Sequence, residues 1–242
     1  GLFDDSSFYK KLITIALPIV IQNFISSFLN MIDTVMIGKV GETEIAAVGI
    51  ANQYFFFYMI ISMSIMSGCG IFISQFWGKK DVINIKRVLG LGLISGLICS
   101  ILFIIPALTI PGKIIALFNT DPRVIELGAK YLKIACLTYL FTSITFSYSF
   151  SLRSIGNTMP SMVISFIALC CNAVFNYILI FGKFGAPVMG VEGASIATLI
   201  ARVVETASTL WYIYSKNNVL SASIREMIGF TWEFVLKAYK TI

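Results

Sequence analysis

No histidine occurs anywhere in this sequence. That removes serine–histidine and cysteine–histidine catalysis and the usual zinc sites. Charge is scarce as well. Asp, Glu, Lys and Arg make up 12% of the 242 residues, against about 25% in soluble domains. The five cysteines, Cys69, Cys99, Cys136, Cys170 and Cys171, all fall inside apolar segments and show no paired ligand spacing. They read as small buried hydrophobes rather than as disulfide or metal partners. The opening GLFDDSSFYKK is polar and mixed in charge, and does not read as a signal peptide.

What is present is apolar. Hydrophobic residues are 57% of the chain and the mean hydropathy is +0.88. Runs longer than about 18 apolar residues recur, the mark of membrane helices. The expected class is therefore an all-α integral membrane protein embedded in a lipid bilayer. The net charge of +6 reflects basic loops on one side of that bilayer, so no nucleic-acid partner is expected.

Six transmembrane helices are predicted, over roughly 12–37, 46–77, 88–110, 124–149, 160–182 and 191–214, and they form a bundle. The second is too long for one straight crossing, so its end projects from the bilayer or bends near Gly68 and Gly70. In the third, Gly92 and Gly96 have the spacing of close helix packing, with Ser100 one step further. Lys10, Lys11, Lys79, Lys80, Lys86, Arg87, Arg153, Lys216, Arg225, Lys237 and Lys240 fall on the N-terminal side. Lys39, Lys113, Arg123 and Lys183 fall on the other, so the N-terminus is expected in the cytoplasm.

The stretch from Leu17 to Gly49 carries one carboxylate, Asp33, inside a membrane-length segment. On a helix, Gln22, Asn23, Ser26, Ser27, Asn30, Asp33 and Thr34 share an arc of roughly 140°. An unsatisfied polar group in hydrocarbon is costly, so this stripe must face the protein interior. Gln22, Ser26, Asn30 and Thr34 are thus expected to line a polar cavity. Near the end of its helix, Asp33 meets the negative pole of the macrodipole and a desolvating environment. Both disfavour its charged form, and a protonatable or cation-binding site is expected there.

Other spans carry polar stripes: Thr138, Thr142, Thr145 and Ser149 in the fourth, Asn172 and Asn176 in the fifth, and Ser195, Thr198, Arg202, Glu205 and Thr209 in the sixth. Arg202 and Glu205, at i,i+3 spacing, are expected to form an intramembrane ion pair. A hard cation such as Na⁺ would be served by Asp33, the amide oxygens of Asn172 and Asn176, and the Thr198 hydroxyl. The same carboxylate could take H⁺ instead, and composition does not choose between them. No other metal and no cofactor is expected. Pro18 has two readings, a hinge within the first helix or a proline in its first turns. Aromatic residues are 14%; most fit lipid contact and interfacial belts, and some could line a pocket for flat organic cations.

The run LPIVIQNFISSFLNMIDTVMIGKVGETEIAAVGIANQ resembles the opening of multidrug and toxin extrusion (MATE) transporters. The run LRSIGNTMPSMVISFIALCCNAVFNYILIFGKFGAPVMGVEGASIATLIARVVE is similar to a later part of the same family. The resemblance implies secondary active export, with a small organic, cationic drug or toxin leaving as H⁺ or Na⁺ enters, and no enzyme activity. It implies a multi-pass protein of the bacterial inner (plasma) membrane. By motif position Asp33, Asn172, Asn176 and Thr198 match the cation-coupling positions, and Pro18 the proline where the first helix bends. Asn176 is an aspartate in some relatives, so the site here has one negative charge fewer. The family has twelve helices in two lobes. Residues 1–214 are then one six-helix lobe, the N-terminal one, and 215–242 a cytoplasmic inter-lobe linker and the start of the next helix. The C-terminal lobe would be the missing partner. The rival readings are a lipid-linked oligosaccharide flippase of similar architecture and a non-transporting membrane scaffold.

Overall fold

The computed structural model describes residues 6–216 and 218–229, apart from the side chains of residues 6–8, 11, 26, 29 and 30. The expected start of a further helix after residue 229 lies outside the described residues.

The first helix, α1 (Ser6–Gly38), runs unbroken through Pro18. That proline stands about three turns inside the helix, which sets aside the reading of a proline in the first turns. It cannot donate the hydrogen bond that the carbonyl of Thr14 would receive, so the ladder is weakest there. A short turn leads into α2 (Glu42–Gly78), which opens with Glu42 and Glu44 at the positive pole of its dipole. At 37 residues, or about 55 Å, α2 overshoots the bilayer as one continuous helix; it does not break at Gly68 or Gly70.

Asp81 starts α3 (Val82–Thr109) by accepting from the Asn84 N–H. The glycine face of α3 is used for close approach. A Cβ on Gly92 would stand 3.3 Å from Cys69 Sγ, and one on Gly96 would stand 2.7 Å from Met66 Cε. A larger residue at either position would make those facing side chains give way, so the two glycines favour this close approach of α3 to α2. The short α4 (Pro111–Ala116) follows.

The span expected as a single helix over 124–149 is two helices, α5 (Pro122–Ala135) and α6 (Thr138–Ser154). Asp121 caps α5, its side chain accepting from Arg123 N–H at 2.8 Å, with Pro122 well placed in the first turn. At the break, Thr138 donates to the Ala135 carbonyl at 2.6 Å, satisfying a backbone group the interruption frees. Sequence periodicity did not reveal this break, because the residues around it are apolar and none is proline.

The helices α7 (Met159–Phe181) and α8 (Gly190–Ser215) form a hairpin. Gly182 ends α7 in the left-handed region, at φ 65°. A Cβ on Gly193 would sit 2.7 Å from the Leu179 carbonyl. The last helix among the described residues is α9 (Ile224–Ile228), opened by a Ser223–Glu226 capping box and packed on α3.

No strand occurs among the described residues. Four helices, α2, α3, α7 and α8, are long and apolar enough to cross a membrane. With α1 and the broken α5–α6 pair they complete a six-helix lobe. One apolar core, around Ile37, Tyr58, Leu132, Tyr139 and Ile180, fills one end. A second, around Ile85, Leu89, Tyr148, Leu152 and Ile213, fills the other. Large apolar side chains such as Ile98, Leu102, Ile105 and Phe166 point outward, the pattern lipid contact requires. Cys69, Cys99 and Cys136 are buried, whereas Cys170 is exposed on the outer face of α7 and Cys171 is half-buried.

Candidate functional site

Asp33 lies half-buried near the end of α1, facing α7. Asn176 Nδ2 donates to Asp33 Oδ1. It also reaches Asn172 Oδ1, one turn earlier, at 2.9 Å. Asn172 Nδ2 in turn donates to Thr198 Oγ1 on α8 at 3.3 Å. Both asparagines are fully buried. A single polar chain therefore runs Asp33, Asn176, Asn172, Thr198 through three helices.

The chain presents an N–H to the carboxylate and leaves Asn176 Oδ1 buried with no partner among the described residues. Turning that amide over would exchange the donor for an acceptor beside Asp33. The donor set suits a proton, which needs only the carboxylate. It also suits a hard cation, which would take the carboxylate with one or more amide oxygens.

Asp33 forms part of the wall of a cavity of about 410 Å³. Thr198 and Arg202 of α8 face the same space, as do Asn52, Phe55, Phe56 and Met59 of α2. Tyr131, Thr138 and Tyr139 from α5 and α6 close it. The aromatic side is held rigid: Tyr139 stacks on Tyr58 at 4.6 Å between ring centroids and meets Phe55 at 5.4 Å. The volume is that of a small-molecule site, mostly apolar with a few polar groups and one acid.

Arg202 also serves the second buried carboxylate. Its Nη1 donates to Glu205 Oε2 at 2.7 Å. Glu205 is 5% exposed, so its charge needs that partner.

Gln22 is buried but stands eleven residues before Asp33, off the cavity wall, in a packed contact with α6 and α7. Thr34 is exposed, because it follows Asp33 by one position and so turns about 100° away from it. The side chains of Ser26 and Asn30 lie outside those described. Thr145 and Thr206 join α6 to α8 through their hydroxyls at 2.9 Å, so that part of the fourth-span stripe is a packing seam.

Tyr131, Tyr139 and Asn52 on the cavity wall were not singled out from the sequence. Tyr131 lies on α5 and Tyr139 on α6, one on each side of a break that no local residue pattern announces. Arg153, counted among loop charges, sits in the last turn of α6 and bonds inward to Gln22. Among the described residues no group of three or more Cys, Asp or Glu could hold a metal.

The profile of the family described as MatE matches residues 18–178. This chain belongs to the MatE family. Members of that family are transporters, not enzymes. Among curated relatives, the chain is 28% identical over 209 residues to "Probable multidrug resistance protein NorM" of Thermotoga maritima, covering 86% of this chain and 45% of that protein. It is 31% identical over 209 residues to "Multidrug resistance protein MdtK" of Edwardsiella ictaluri, covering 85% and 43%. A solved structure described as "MATE in the bent conformation" superposes with a TM-score of 0.85 at 19% identity, over 96% of this chain and 51% of that one. One described as "MATE in the straight conformation" gives 0.84 at the same identity, over 96% and 51%. The chain spans about half the length of the relatives it matches. Its MatE fold is that of one lobe of a multi-pass membrane protein.

Proposed function

We propose that this chain is the N-terminal lobe of a secondary active exporter, in which entry of H⁺ or Na⁺ drives a small organic cation outward. The supporting observation is the placement of Asp33. It is held by Asn176 at the wall of a cavity large enough for a drug-sized ring system and lined by Phe55, Phe56 and Tyr139. An aromatic box with one carboxylate favours a cationic, flat ligand over a neutral or anionic one. The nearby Arg202 is engaged with Glu205, which leaves Asp33 as the acid open to that space.

The coupling logic is exchange at Asp33. A proton or Na⁺ on the carboxylate weakens its hold on Asn176 and on the organic cation together. Differential affinity for the two forms is then what shifts the lobe between packings. Pro18, inside α1 and lacking its N–H, is the hinge about which the first helix would bend. A second six-helix lobe completes the transport path. The excess of Lys and Arg on the N-terminal side favours a cytoplasmic N-terminus in a bacterial inner membrane.

The test is efflux by the full-length protein carrying Asp33→Asn, which keeps shape and removes the charge. The expected result is normal membrane insertion with export of a fluorescent organic cation abolished. Undiminished export by that variant refutes the assignment.

A further inference from the structure

A second polar contact of α1 lies outside the coupling scheme. Gln22 is buried four residues beyond Pro18. Its Oε1 accepts from Arg153 Nη2 on α6 at 2.5 Å. Its Nε2 donates to Ser165 Oγ on α7 at 3.0 Å. Ser165 Oγ donates onward to Glu205 Oε1 on α8 at 3.1 Å. The other oxygen of that carboxylate receives Arg202 Nη1, and Arg202 stands on the wall of the cavity that holds Asp33.

Three links run in one donor direction, from Arg153 on α6 through Gln22 on α1 and Ser165 on α7 to Glu205 on α8, and Arg202 donates to the same carboxylate from the cavity side. A change at one end is felt at the other. If Arg202 swings away from Glu205, that carboxylate loses its charged donor and draws more strongly on Ser165. Ser165 then changes what it offers to Gln22. Beside Gln22, two buried atoms, Arg153 Nε and Ser161 Oγ, have no partner among the described residues. They give a displaced Gln22 side chain an alternative place to bond. Gln22 is also the first buried polar group after the weak turn at Pro18, so its grip decides whether that turn is held against α7.

We infer that Gln22 is a positioning residue that ties the Pro18 turn of α1 to the Arg202–Glu205 pair, so that rearrangement at the cavity wall and movement of the first half of α1 occur together. Its meaning for transport rests on the exporter reading above, but the tie itself is measurable without transport.

The experiment is hydrogen–deuterium exchange of the 12–25 segment in the full-length protein in lipid nanodiscs. Wild type is compared with Gln22→Leu, Glu205→Gln and the double variant. The expected result is exchange faster by about tenfold in each single variant, the scale of one or two lost hydrogen bonds. The double variant should be no faster than the quicker single, because both break one series. Exchange in the 85–100 segment of α3 should stay unchanged, as a control for folding. Should Gln22→Leu fail to fold, Ser165→Ala breaks the middle link and should reproduce the Glu205→Gln result. Effects that add in the double variant, or unchanged exchange in 12–25, overturn the tie, since Gln22 and Glu205 do not touch and a purely local role would leave them independent. A protein that shows the coupling yet moves no organic cation overturns the exporter reading alone.

Discussion

Asn176 hydrogen-bonds to Asp33 across 143 residues of chain, and Ser165 meets Gln22 across the same 143. An equal offset at two points eleven residues apart means that α1 and α7 run parallel and in register. Eleven residues are close to three whole turns, so both contacts lie along one seam. The first helix is therefore fixed at two levels, about 16 Å apart, with the proline just outside the lower one.

Adding a second acid at the upper level should change ion preference. In Asn176→Asp, two carboxylates face each other in a confined space and cannot both stay ionised without a cation. Sodium binding to the purified full-length protein, followed by calorimetry, is expected to tighten by about tenfold or more, one pK unit of interaction or greater. Sodium affinity no better than wild type would remove Asp33 from any cation site.

The pair at the cavity wall should behave as a unit. Arg202→Leu strands the Glu205 carboxylate, which is 5% exposed, and is expected to cost about 3–5 kcal/mol of stability. The double variant Arg202→Leu/Glu205→Leu should recover most of that loss, since no buried charge remains. Thermal unfolding in detergent reads both. Equal destabilisation in the single and double variants would mean that the pair is not what holds the helix.

Gly90 should be required for docking of α9. A Cβ there would stand 2.7 Å from the Met227 carbonyl carbon and from its Cβ, closer than packed atoms come. Backbone cannot swing aside as a flexible side chain does, so Gly90→Ala should lift α9 away at an overpacking cost of about 1–3 kcal/mol. Limited proteolysis is expected to cut the 217–229 segment faster in that variant, with the melting of the helical bundle unchanged.

The same docking should resist mild acid. Lys86 donates to Glu226 at 2.8 Å, and the Ser223 backbone and hydroxyl add further bonds. Together they hold the Glu226 carboxyl at about 2, below its ordinary 4.5. A depressed carboxyl contributes stability that is fully present above 4.5 and is lost as the pH falls toward about 2. Proteolytic protection of α9 should thus be flat from neutral pH to about 4.5 and fall below it. Glu226→Gln should remove that dependence. Because the pair is exposed, high salt should also weaken it.

Membrane class, an all-helical lobe and the acid within its first long helix could be read from residue order alone. Apolar runs, lone charges and i,i+3 spacings are local quantities, set by the bilayer's thickness and by helix geometry. Asn172 and Asn176 stood out for the same reason: two amides one turn apart in hydrocarbon must find partners wherever the chain folds. Which partners they find is not local. That Asn176 meets Asp33 and that Gln22 leaves the cavity wall for Arg153 and Ser165 follow from the register of α1 on α7, and that Tyr131 and Tyr139 line the cavity follows from how α5 and α6 pack on their neighbours. Those are set by how glycines and bulky residues of different helices fit one another, a competition among contacts distant in the chain that no single segment encodes.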